Sequence, residues 1–157
     1  MTTFARPLTF LAMAAALIAA PVAASAQSRE LTDCEGQWYA SIENIWVTDD
    51  GGGIRTFYNG AVRVLRIDSE EPAAASAGFV IMMPDGDGSD GPPGTICRVV
   101  WGLASADVDN IRSRYDTARG LILTIPTTLP DFDGNGQRPR DTRILINAQR
   151  GTIQLLD

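Results

Sequence analysis

The dipeptide Asn59-Gly60 stands between two runs rich in β-branched and aromatic residues, 54–58 and 61–67. Asn-Gly readily takes positive φ at both central positions of a type I′ turn, whose twist matches an antiparallel hairpin. In that register Phe57 faces Val62 and Arg55 faces Val64. The rest of the chain is written the same way, as apolar runs punctuated by Gly, Pro, Asn and Asp. Residues 38–47 set Trp38, Ala40, Ile42 and Trp46 on one side of a period-two pattern and predict the first strand. Residues 78–83 (GFVIMM) predict a strand buried on both faces, and 95–101 a strand carrying Cys97. Segments 111–125 and 142–156 share Arg at the second position, Asp or Asn at the sixth, and Arg-Gly at the ninth and tenth. Both predict hairpins, turning at 116–120 and 147–151, with Gly120 and Gly151 supplying a left-handed residue. No segment sustains a helical period. About eight short strands of this kind predict an all-β fold, a small antiparallel β-sandwich or barrel.

Residues 1–26 predict a cleaved secretory signal: Arg6, an uncharged stretch from residue 8 to 20, Pro21, and Ala24-Ser25-Ala26 before Gln27. The apolar run falls short of the ~18 residues that a membrane span needs. A periplasmic or secreted chain, 27–157, is therefore expected to form one all-β domain with no span of its own. Removing Arg6 leaves 12 arginines against 19 acidic residues, a net charge of −7. That balance disfavours nucleic acid and anionic lipid as partners, since both reward basic surfaces. In an oxidising compartment the two cysteines, Cys34 and Cys97, have a single pairing open to them. A disulfide across that span stabilises the fold by roughly 4 kcal/mol in the chain-entropy treatment.

The chain contains no histidine and no lysine. Ser-His and Cys-His nucleophile pairs, imidazole ligation of zinc, Schiff-base lysines and the P-loop lysine are thereby excluded. Carboxylate chemistry survives on residue type alone, without a motif to support it.

Three stretches carry candidate sites. Asp131, Asp133 and Asn135, with Gly136, occupy alternating positions of a calcium loop, and Asp141 is the nearest acid to its closing position. Calcium is the one cofactor suggested by the sequence. The other reading of 131–142 is a turn between strands, because Thr142 stands where a bidentate Glu belongs and Arg138 and Arg140 lie inside the loop. Residues 84–94 (PDGDGSDGPPG) form an exposed loop whose acids, Asp85, Asp87 and Asp90, read either as a solvated surface or as a contact loop on a rigid scaffold. Arg112, Arg114, Arg119, Arg138, Arg140 and Arg143 gather in the last third, either to grip an anionic ligand or to pair with interspersed acids.

Gly36-Gln37-Trp38-Tyr39 resembles the opening of the calycins, the lipocalin and avidin group of closed β-barrels. The resemblance implies that Trp38 closes the bottom of a ligand-holding barrel, and a cysteine bridge from the N-terminus to mid-chain suits the same group. Two functions are therefore expected as alternatives. The first is an exported, non-catalytic interaction module, an inhibitor or accessory subunit with a protein partner in the cell envelope. The second is a calycin-like carrier of a small apolar ligand, stabilised by calcium.

Overall fold

The structure, a computed structural model, describes residues 29–70, 74–86, 94–132 and 136–156. Two five-stranded antiparallel sheets pack face to face. The first runs in the order β1 (Leu31–Asp33), β5 (Gly94–Leu103), β4 (Ala77–Asp85), β3 (Val62–Asp68), β2 (Ile54–Phe57). The second runs β10 (Thr152–Leu156), β9 (Gln137–Asn147), β8 (Gly120–Pro130), with β6 (Ser105–Ala106) and β7 (Arg112–Asp116) sharing the far edge of β8. The fold is an all-β sandwich with one disulfide, and it does not close into a barrel. Among the described residues no helix is long and apolar enough to cross a membrane.

Alternation along the strands builds the core. Val62, Val64, Phe79, Ile81, Met83 and Val100 of the first sheet meet Leu121, Leu123, Ile125, Ile144 and Ile146 of the second, all buried. The 78–83 run is buried on both faces except for partly exposed Met82, as its composition predicts, because the outer face of this sheet is covered as well.

The cover is the segment expected to be the first strand, and it is not a strand. Residues 38–47 form two 3-10 turns, Trp38–Ala40 and Ile42–Asn44, followed by a single bridge between Ile45 and Ile67. The reason is geometric. Cys34 lies beside Cys97 at one edge of the sheet, and Ile45 joins β3 on its other side. Four strand spacings across and four residues along amount to roughly 23 Å. An extended chain would cover about 36 Å between those residues, so the segment coils to take up slack. Tyr39, Ala40 and Ile45 pack on Ile67, Val80 and Val99, while Trp38 and Ile42 turn outward.

Among the described residues ten strands appear where about eight were expected, because the edges are made of short interrupted pieces. The edge of β3 is paired first by β2 and then, after residues 48–53 loop out, by Ile45. The edge of β8 is paired by β6 and then, after residues 107–111 loop out, by β7. Pro126 sits at that second gap. Its carbonyl accepts from Asp107 N–H, so its nitrogen faces the same side and removes no bond to β9. The two excursions dock on each other: Asp109 Oδ1 accepts from Gly53 N–H at 2.9 Å, and the Asp109 carbonyl accepts from Arg55. Gly53 has φ +88°, and a Cβ there would lie 2.2 Å from the Trp46 carbonyl oxygen.

This clasp joins the two sheets along one side. Asp109→Ala is expected to lower stability by about 1–2 kcal/mol, the worth of a charge-assisted hydrogen bond, with Asp109→Asn recovering part of it. Gly53→Ala, strained in both φ and space, is expected to exceed that loss. Urea unfolding of the three variants checks the order; equal midpoints for wild type and Asp109→Ala would contradict the clasp.

Candidate interaction site

Hairpin chemistry gathers the functional candidates at one end of the sandwich. At Asp116–Gly120 the Asp116 carboxylate accepts from the N–H groups of Ala118 and Arg119, at 3.0 and 3.1 Å, and from Arg119 Nε at 3.1 Å. At Asn147–Gly151 the Asn147 Oδ1 accepts from Arg150 N–H at 3.1 Å. The shared Asx…Arg-Gly pattern of the two segments thus has one cause. The Asx side chain caps the turn on the arginine N–H, and the following glycine takes positive φ, +122° at Gly120 and +61° at Gly151. The guanidinium of Arg119 also holds the Asp116 carboxyl below the usual range, helped by the Ala118 and Arg119 amides. Asn147 Nδ2 donates to the Arg119 carbonyl at 3.0 Å and so ties the two turns together.

The Asn59-Gly60 turn reaches the same end. Ala61 N–H bonds the Tyr58 carbonyl at 3.1 Å with Asn59 at φ +53° and Gly60 at φ +88°, a type I′ turn in the expected register. Tyr58 itself has φ +51°, a conformation that a bulky side chain seldom adopts and that surrounding contacts must hold. One such contact is visible: its ring meets Tyr115 of β7 edge-on at 6.2 Å. Burial and the neighbouring Tyr115 phenol together push the Tyr58 phenol above its ordinary value of 10.0. Both rings remain exposed, Tyr58 at 42% and Tyr115 at 61%.

Asp85, at the last position of β4, completes the cluster. A Cβ on Gly151 would lie 3.6 Å from Asp85 Oδ1 and 3.3 Å from Cδ1 of Ile96, so the second sheet's last turn abuts the base of the 84–94 loop. Beside it a shallow open depression of about 210 Å³ is lined by Gly60, Ala61, Arg63, Met82, Pro84 and Thr95, among others. Asp87 and Asp90 lie outside the described residues. Sequence reasoning singled out Asp85 but did not foresee that Tyr58 and Tyr115 would meet. Positive φ at a tyrosine beside Asn-Gly has no signature in composition, and the pairing of two rings from different sheets exists only after folding.

The other candidates lie elsewhere. Asp131 is at the opposite end, in the turn after β8, where its N–H bonds the Gly136 carbonyl and its carboxylate pairs with Arg138 at 3.3 Å. Asp133 and Asn135 fall outside the described residues. Asp141 is opposite Pro126, four positions down the strand from Gln137, and pairs with Arg112. That register sets it about 13 Å along the strand from the turn, so the structure does not bring it to Asp131. Among the described residues no group of three or more His, Cys, Asp or Glu side chains is placed to hold a metal. Arg112, Arg119 and Arg138 are each paired with an aspartate.

Cys34 and Cys97 are bonded, with Cα atoms 5.5 Å apart, directly opposed where β1 runs beside β5. Trp38 is 60% exposed on the outer face of the first sheet, edge-on to Tyr39 and Trp101, which stack on each other at 4.9 Å. The part that the calycin resemblance assigns to it is not the one it has. The sheets form an open sandwich, so there is no barrel for Trp38 to close, and the space between the sheets is filled by side chains. No protein-family model, curated protein or solved structure matches this chain.

The Tyr58 environment is open to direct titration. A phenol whose folded pKa is raised contributes stability that is intact below pH 10.0 and is lost as pH climbs through the folded value. Ultraviolet titration is expected to show one tyrosine ionising late, and Tyr115→Phe is expected to move it back toward 10.0. A profile unchanged by that substitution would contradict the pairing.

Proposed function

We propose that this protein is an exported, non-catalytic interaction module of the cell envelope that binds a protein partner through the hairpin-turn end of its sandwich. The observation that carries this reading is the convergence of the turns at 58–61, 116–120 and 147–151 with the base of the 84–94 loop on one rigid end. Loops held this way by a β-sandwich are a recurrent recognition surface, since the scaffold bears the cost of ordering and the loops bear the chemistry. Exposed tyrosines with two rotatable side-chain angles supply contact area at low entropic cost, and the strained Tyr58 is already ordered. Export accords with the disulfide and with the signal-like 1–26 segment, which lies outside the described residues. Absence of histidine and lysine supports the non-catalytic part. The carrier reading has lost its barrel, and no other observation favours it.

The test uses the oxidised full-length mature chain as bait on envelope extracts, with captured partners then titrated individually. Tyr58→Ser, Tyr115→Ser and Asp85→Ala are expected to weaken binding by about tenfold or more each, the range of interface hot spots. Thr128→Ala and Phe132→Ser, at the opposite end, are expected to leave it unchanged. A partner whose affinity follows the second set and ignores the first would overturn the proposal.

A further inference from the structure

Each sheet edge has unpaired backbone groups, and folded proteins protect such edges with charge, proline, brevity or interruption. Four edge stretches of this sandwich are protected in one of these ways. The β1 edge is three residues long and carries Asp33 paired with Arg98. The β2 edge is four residues, carries Arg55, and breaks into the 48–53 excursion. The β6–β7 edge is broken by 107–111 and carries Arg112 and Arg114. The stretch of β9 beyond the reach of β10, 137–142, holds Arg138, Pro139, Arg140 and Asp141.

Among the described residues the β10 edge shows no charge, proline or interruption of this kind. Thr152, Ile153, Gln154, Leu155 and Leu156 include no charge, proline or glycine, and their register on β9 runs unbroken from Thr152↔Asn147 to Leu156↔Arg143. We propose that β10 pairs antiparallel with β10 of a second copy of this chain, joining the two second sheets across a two-fold axis. The residue pattern is self-complementary in the way that a two-fold requires. With the axis beside Gln154, Gln154 meets its own copy, Ile153 meets Leu155, and Thr152 meets Leu156. Ile153 and Leu155 both face the inter-sheet core, so the pairing continues the apolar layer from one sandwich into the next. The outward pair at the axis is amide to amide, without a like-charge clash. The same operation at the β2 edge would bring two copies of Arg55 close together, and at β1 two copies of Asp33. A second copy of β10 is therefore the occupant that this edge fits. One short strand pair makes a small interface, so the dimer is weak and concentration-dependent.

Sedimentation of the oxidised protein from micromolar to millimolar concentration is expected to show a reversible monomer–dimer equilibrium. Gln154→Lys sets like charges face to face at the axis and is expected to weaken association by about tenfold. Thr56→Lys, also exposed but on the β2 edge, is expected to have no effect. Gln154→Cys is expected to form an interchain disulfide on mild oxidation, with Thr56→Cys as the control that does not. Both sites are exposed, and unchanged melting of the variants checks that the fold is kept. A monomer at every concentration, or equal behaviour of the two lysine variants, overturns the proposal.

Discussion

The disulfide between Cys34 and Cys97 holds a three-residue strand at the edge of the first sheet, and the path of the chain from residue 34 to 53 depends on it. From that anchor the chain crosses the outer face of the sheet to its opposite edge and returns strand by strand, β2 to β5, until β5 lies beside β1. A strand of three residues contributes too few bonds to hold itself in place. The covalent link, spanning 63 positions, supplies roughly 4 kcal/mol by constraining the unfolded chain. Around it the crossing segment packs Tyr39, Ala40 and Ile45 on Ile67, Val80 and Val99, and Tyr39 stacks on Trp101. Trp101 in turn lies across Gly78, where a Cβ would come within 3.0 Å of the indole and 2.3 Å of the Val100 carbonyl oxygen. The first sheet is consequently covered on both faces.

What each element depends on explains which parts of the fold were legible in the sequence. Hairpins were, because their signals are local. Asn59-Gly60 sets its own φ angles, and the Asp116 and Asn147 side chains cap their turns from within four residues. The crossing segment was not legible. Its alternation of Trp38, Ala40, Ile42 and Trp46 fits a strand, but the chain has only about 23 Å to cover and a preformed apolar face to lie on. Coiling broke the pattern, with Ala40 inward and Trp38 and Ile42 outward. Nor were the two edge excursions legible, since each is defined by what pairs on either side of it.

The candidate sites divide in the same way. Asp85 was visible as part of a Gly, Pro and Asp loop, and it stands where that composition puts it, at the mouth of a hairpin. Asp141 was drawn into the calcium reading by counting along the sequence. The register of β8 on β9 assigns it to Arg112. Tyr58 and Tyr115 meet only because the clasp of Asp109 on Gly53 and the core align β2 with β7. The pairing of the two rings therefore rests on the same side-to-side packing that holds the sheets together.

The most direct measurement is amide hydrogen exchange on the oxidised and the reduced, alkylated protein under native conditions. The expected result is selective: reduction strips protection from 31–47 and from the outward-facing positions around Val80 and Val99, while β8 and β9 keep theirs. Protection lost uniformly through both sheets, or unchanged in 31–47, would contradict the anchoring role of the Cys34–Cys97 bond.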